Sequence, residues 1–210
     1  MRRKHNEIKD PKEIIRILNS TNIGRMATTD AKGYPYIIPV NFVFYEGCVY
    51  FHCAPKGEKL DNLSRDSRVC FEVDVPLAYL EVAFDSDRNP CRTHQLYHSV
   101  IIKGLARVVP DGELKTVVLN ALVAKHEGNQ YFPAVTSDSA PYKACYVVEI
   151  KPQKISGKSD LIQNKPPLDK ANIARHLVAR GLPGDLDAVR AMGFKVEGNE
   201  REGWRIMGEV

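Results

Sequence analysis

Between Ile23 and Tyr45 the apolar and polar positions alternate poorly at first, yet the residue types are those of strands joined by tight turns. Gly24 to Thr29 is made of strand-compatible residues, and Asp30-Ala31-Lys32-Gly33 is turn chemistry. YPYIIPVNFVFY, from Tyr34 to Tyr45, is aromatic and β-branched and predicts one long strand. Pro39 lies within that run and cannot donate to a ladder, so the strand is expected at an edge, a bulge or a bend there. Glu46-Gly47 turns the chain into Cys48 to Ala54, a tight antiparallel hairpin. KGEKLDNL follows as a short helix carrying Leu60 and Leu63 on one face.

Before this meander, Asp10-Pro11-Lys12-Glu13 reads as a helix start, with Asp as N-cap, Pro in the first turn and Glu13 reaching back. Ile14, Ile15 and Leu18 give that helix its apolar face, and MRRKHNEIKDP reads as a solvated or strand-like arm. After the meander, Val69 to Val75 is a fourth strand and Leu77 to Phe84 a separate piece. Tyr97 to Val109 is a long strand, Glu113 to Gly128 an amphipathic helix ended by its glycine, and Ala144 to Ile150 the closing strand. About six antiparallel strands with helices at the ends predict a mainly β split barrel. From Lys151 the chain turns polar, with a break at Pro166-Pro167 and then a helix, a second helix and a hairpin. The predicted domains are therefore 1–155, the barrel, and 156–210, a linker with a small α/β extension.

Composition narrows the function classes. Hydrophobic content of 43% and charged content of 27% are those of a globular protein. There is no run of about 18 apolar residues and no charged start followed by an apolar stretch, so neither a membrane span nor a signal peptide is indicated. Five cysteines without CxxC spacing do not make a disulfide framework and fit a reducing cytoplasm. A net charge of +4 suits an anionic cofactor and is too dispersed to argue for nucleic acid.

GRMATTDAKGYPYIIPVNF, YFHCAPKGEKLDNL, VCFEVD and, further on, Cys91 and YHSVIIKG together resemble the flavin-binding split β-barrel family related to pyridoxamine-phosphate oxidase, in its nitroimidazole-resistance branch. The pieces span roughly the first 150 residues in the family's order. The C-terminal Trp- and Arg-containing motif of pyridoxamine-phosphate oxidase proper is not found, so the reaction of that enzyme is not carried over. The resemblance implies flavin mononucleotide, FMN, at the interface of a homodimer. It places Arg25, Met26, Ala27 and Thr28 on one strand beside the flavin and Pro39, Val40 and Asn41 on the next.

Lys56, Gly57 and Lys59 suit the phosphate, and Tyr97 and Ser99 are expected from the other subunit. His52 is the candidate catalytic group, placed beside the flavin to contact it or handle a proton; a core histidine with a satisfied hydrogen bond is the other reading. Cys53, pointing to the opposite face, reads as a buried small residue. Cys91, His94 and His98 do not make a metal site, because His98 falls in a strand.

The implied activity is electron transfer from NAD(P)H through the flavin to a small organic acceptor, nitroaromatic compounds included. No Rossmann fingerprint is present, so the nicotinamide would dock transiently. The alternative is a non-enzymatic flavin or ligand sensor whose winged-helix-like C-terminal hairpin contacts DNA or protein. Its helix carries only Arg190 as a basic residue, which speaks against DNA.

Overall fold

In the computed structural model, which describes residues 3–128, 130–199 and 203–207, the elements in chain order are these. β1 (Glu7–Ile8) and α1 (Pro11–Ser20) precede the meander of β2 (Ile23–Thr29), β3 (Pro35–Asn41), β4 (Val43–Tyr45) and β5 (Cys48–Cys53). α2 (Glu58–Arg65), β6 (Arg68–Leu80), β7 (His94–Val108), α3 (Glu113–Glu127), α4 (Ala140–Ala144) and β8 (Tyr146–Asp160) follow. α5 (Pro167–Arg180), α6 (Asp185–Ala191) and a hairpin of β9 (Val196–Asn199) and β10 (Gly203–Ile206) complete the described chain. Met1 and Arg2 of the basic arm, and Glu200 to Glu202 of the hairpin, lie outside the described residues. The fold is mainly antiparallel β with flanking helices, the split β-barrel class.

The strands run in the order β3-β2-β6-β7-β8-β5-β4, with β1 added on β8. The chain divides into two compact units, and β6, β7 and β8 contribute to both. One unit is Asp10–Val73 with Val100–Ser156; the other takes the chain through Lys9, Asp74–Ser99 and the residues from Gly157 onward. This differs from the 1–155 and 156–210 division read from the sequence. β8 does not end at Ile150 but continues to Asp160, through the stretch that reads as a linker. That stretch is polar because Lys151, Gln153 and Lys154 face solvent, and its last residues are held by pairing of Gly157 and Lys158 with Ile8 and Glu7 of β1.

In the first unit, the run from Tyr34 to Tyr45 is two strands and not one. β3 pairs with β2 at one end of the strand order, whereas β4 pairs with β5 at the other. Only Phe42 separates them, so the sheet curls until its two ends meet at one residue. Phe42 is fully buried and packs edge-on against Phe71, with ring centroids 5.0 Å apart. β3 is a terminal strand, so Pro39 costs no ladder bond to a further strand. Leucines and valines of α3 (Val118, Leu119, Leu122) close the core over Val43, Tyr50 and Val147. Gly104 lets β7 pass close to β8, since a Cβ there would meet the Lys151 carbonyl oxygen at 2.4 Å.

α1 starts as expected, with the Asp10 side chain accepting the Lys12 N–H at 2.9 Å. Glu13 pairs with Arg16 instead of serving only its own helix start. Ile17 and Leu18 are the buried pair; Ile15 is 42% exposed and does not belong to the apolar face. The separate piece expected over Leu77 to Phe84 is, as far as Leu80, the continuation of β6, which passes through the exposed Pro76 without a break, and a 3-10 turn at Val82–Phe84 follows.

In the second unit, the far halves of β6 and β7 share a core with the C-terminal helices. Ala78, Leu80 and Leu96 pack with Leu161, Ile162, Ile173, Ala174, Leu177, Ala188 and Val189. Arg180 of α5 ties this core together by ion pairs to Glu81 and to the fully buried Asp185. Trp204 is half-buried, with the Arg190 guanidinium 5.5 Å from its ring centroid.

Candidate functional site

The junction between β3 and β4 brings Asn41, at the end of β3, beside His52 of β5, and two cavities open on either side of this pair. The first, about 580 Å³, is walled by Ile38, Pro39, Val40 and Asn41 of β3, by His52, Cys53 and Ala54, and by Lys59 of α2. The second, about 370 Å³, is bounded by Asn41, His52, Leu119, Leu122, Val123, His126 and Glu127, with Val135 from the following loop, Pro141 of α4 and Cys145 just after it. Five sequence-predicted residues, Pro39, Val40, Asn41, His52 and Lys59, thus meet in one cleft.

α2 is held where Lys59 can reach that cleft. The Asn62 amide donates to the buried Thr28 hydroxyl at 3.0 Å, and Arg65 donates to the Thr29 carbonyl. Thr28 is therefore committed to anchoring α2 on β2. Gly57 precedes the helix at φ +132°, a conformation open to glycine, and supplies no side-chain cap to the first-turn N–H groups. The Lys59 ammonium nitrogen lies 3.8 Å from where a Gly57 Cβ would be. A helix start without a side-chain cap, with the Lys59 ammonium beside it, is a donor set for an anion such as a phosphate. Lys56 is exposed on the same turn.

The remaining predicted residues are spread out. Met26 is fully buried and offers the cleft no side chain. Ala27 is half-buried, and Arg25 makes a cross-strand ion pair with Glu72 at 3.4 Å. Tyr97 and Ser99 belong to the second unit, where the Lys158 amine donates to the Tyr97 hydroxyl. His94 pairs with Asp160 at 3.0 Å and His98 with Ser159 at 2.8 Å, so both are engaged in side-chain bonds between β7 and β8. Among the described residues no group of three or more His, Cys, Asp or Glu is placed to hold a metal.

His126 is the residue that the sequence did not single out. It lies in the last turn of α3, where the pattern shows only an amphipathic helix ended by Gly128. Its Nδ1 is 3.5 Å from the Asn41 amide nitrogen, an arrangement in which Asn41 donates and Nδ1 accepts. Burial pushes its pKa below the usual histidine value, and the neighbouring Lys125 pushes it further. Burial also raises the thiols of Cys53 and Cys145, which keeps both protonated and weakly nucleophilic.

Lys125 supports this corner from below. Its ammonium donates to the Leu18 carbonyl in the last turn of α1 at 3.2 Å and sits 3.7 Å from the Phe42 ring centroid. Burial lowers its pKa from 10.5 to about 8. Between these values the unfolded chain holds a proton that the folded chain has released, so this residue makes stability rise with pH. Lys125→Met is expected to flatten that rise; urea midpoints of both proteins at about pH 8 and about pH 10 check it.

Residues 10–159 match the sequence profile of the family described as pyridoxamine 5'-phosphate oxidase. The chain belongs to that family. A relative, the 5a,11a-dehydrotetracycline/5a,11a-dehydrooxytetracycline reductase of Streptomyces rimosus, is 31% identical over 102 residues. That match takes in 47% of this chain and spans 63% of the reductase's length. The fold is shared with a candidate 5-nitroimidazole antibiotic resistance protein from Bacteroides thetaiotaomicron, at TM-score 0.60 and 22% identity, covering 72% of this chain and 85% of that one. It is also shared with an FAD and heme binding protein from Mycobacterium smegmatis, at TM-score 0.63 and 15% identity, covering 96% of this chain and 84% of that one. No described helix is long and apolar enough to cross a membrane.

Proposed function

We propose that this member of the family is an FMN-dependent oxidoreductase that passes electrons from NAD(P)H to a small organic acceptor, nitroaromatic compounds among them. The observation that carries the reading is the cleft in which Pro39, Val40, Asn41, His52 and Lys59 meet. Its donor set fits a phosphorylated, flat ligand. The uncapped turn at Gly57 with Lys59 and Lys56 suits the phosphate, and the free edge of β3 with its apolar Ile38 and Val40 suits a ring. Flavin binding by the solved relative from Mycobacterium smegmatis and the reductase activity of the Streptomyces rimosus relative support the same direction.

When bound, a flavin supplies the two-electron chemistry. The protein's own part is to hold the ligand at Lys59, orient it along β3 and place the His52 imidazole at its edge, where that ring can give or take a proton. A cytoplasmic homodimer completes the reading, with Tyr97 and Ser99 of one subunit facing the flavin of the other.

Purified protein is expected to be yellow, or to take up added FMN with micromolar or tighter affinity, and to oxidise NAD(P)H when an acceptor is present. Calorimetry with excess FMN that shows no binding overturns the proposal. Binding without nicotinamide oxidation points to the sensor alternative.

A further inference from the structure

The two cavities beside Asn41 and His52 differ in charge. The β3 cavity holds Lys59. Among the described residues no lysine or arginine lines the α3 cavity, and the one fixed charge on its wall is the Glu127 carboxylate. Building on the flavoenzyme reading, we propose that the α3 cavity is the acceptor site, taking an uncharged aromatic molecule of one or two rings and rejecting carboxylates and phosphates.

Its walls are Leu119, Leu122 and Val123, on successive turns of α3, with Val135 opposite. A volume of about 370 Å³ is at the small end of ligand cavities and suits one or two fused rings. A carboxylate entering it loses hydration, gains no cation and approaches Glu127, so its transfer is unfavourable. An amide, carbonyl or nitro oxygen loses far less and finds polar partners on the Asn41 and His52 wall. Burial and the neighbouring Lys125 disfavour the charged form of His126, which lessens its attraction for an anion. Asn41 and His52 belong to both cavities, so a molecule held here lies next to one held along β3.

The test uses the full chain prepared without flavin and the uncharged, environment-sensitive naphthalene dye prodan. Displacement of the dye is measured for 2-naphthamide and for its near-isosteric anion, 2-naphthoate. The amide is expected to compete at least about ten-fold better than the carboxylate. Val123→Trp, which fills the cavity, is expected to weaken dye binding at least about ten-fold while leaving the FMN titration within about two-fold. Val123→Met is a milder filling of the same wall, expected to weaken the dye about three-fold, and the comparison of amide with carboxylate needs no substitution. Equal competition by naphthoate, or dye binding untouched by both Val123 variants, overturns the proposal. Wild-type protein that shows the expected selectivity but takes up no FMN overturns the flavoenzyme reading alone and leaves the neutral-ligand site supported.

Discussion

Lys59→Glu is expected to weaken FMN binding by about thirty-fold or more, the equivalent of roughly 2 kcal/mol for a charge-assisted bond to phosphate, with repulsion added. Among the described residues Lys59 is the only lysine or arginine on the wall of the β3 cavity. The turn beneath it already carries Glu58 and Asp61, so a third carboxylate makes the helix start a poor host for a dianion. The same substitution is expected to leave folding nearly unchanged, because the residue is not in the core and acidic residues are compatible with a first helical turn. Lys59→Arg retains the charge and is expected to bind FMN within a few-fold of the parent. Flavin fluorescence titrations alongside thermal melts check both halves. A Glu variant that binds FMN normally removes the phosphate assignment.

Asp185→Ala is expected to destabilise the second unit by about 3–5 kcal/mol, the cost of removing one partner of a buried ion pair. Asp185 is fully buried and accepts two bonds from the Arg180 guanidinium, at 2.6 and 3.0 Å, and one from the Leu182 N–H at 2.8 Å. The alanine variant strands Arg180 between Glu81 and an apolar pocket and frees the backbone turn that leads into α6. For a chain of this size the loss corresponds to a fall in melting temperature of roughly 6–20 °C. Asp185→Asn keeps the shape and an acceptor but not the charge, and is expected to lie between the two. Calorimetry of the three proteins checks the order; an alanine variant that melts with the parent excludes this role for the ion pair.

The site was partly legible because its chemistry is carried by residue types that are conspicuous on strands. A proline within an otherwise β-branched run, an asparagine at its end, a histidine on the next strand and a lysine just beyond a glycine all stand out, and all line the β3 cavity. Thr28 and Met26 stand in the same motif, yet alternation turns both inward, one to anchor Asn62 and one into the core. His126 was illegible for the opposite reason. It is far along the chain in a helix whose pattern is explained by packing, and nothing local ties it to Asn41.

The sequence by itself determined most of the strands and helices, the turns at Asp30–Gly33 and Glu46–Gly47, the start of α1 at Asp10, the stop of α3 at Gly128, and the family. Each of these rests on local propensity or on a motif read within a short window. Only the tertiary structure decided that the run from Tyr34 to Tyr45 breaks at Phe42 and joins the two ends of the sheet, because that break follows from where β4 finds its partner, β5, and not from any breaking residue. The polar stretch after Ile150 is likewise a strand through its neighbours: Gly157 and Lys158 are ordered by pairing with β1, a long-range bond that no local composition announces. In the same way the C-terminal helices, read as an appendage, share a core with Ala78, Leu80 and Leu96, since their few large apolar residues can be buried only against strands contributed from elsewhere in the chain.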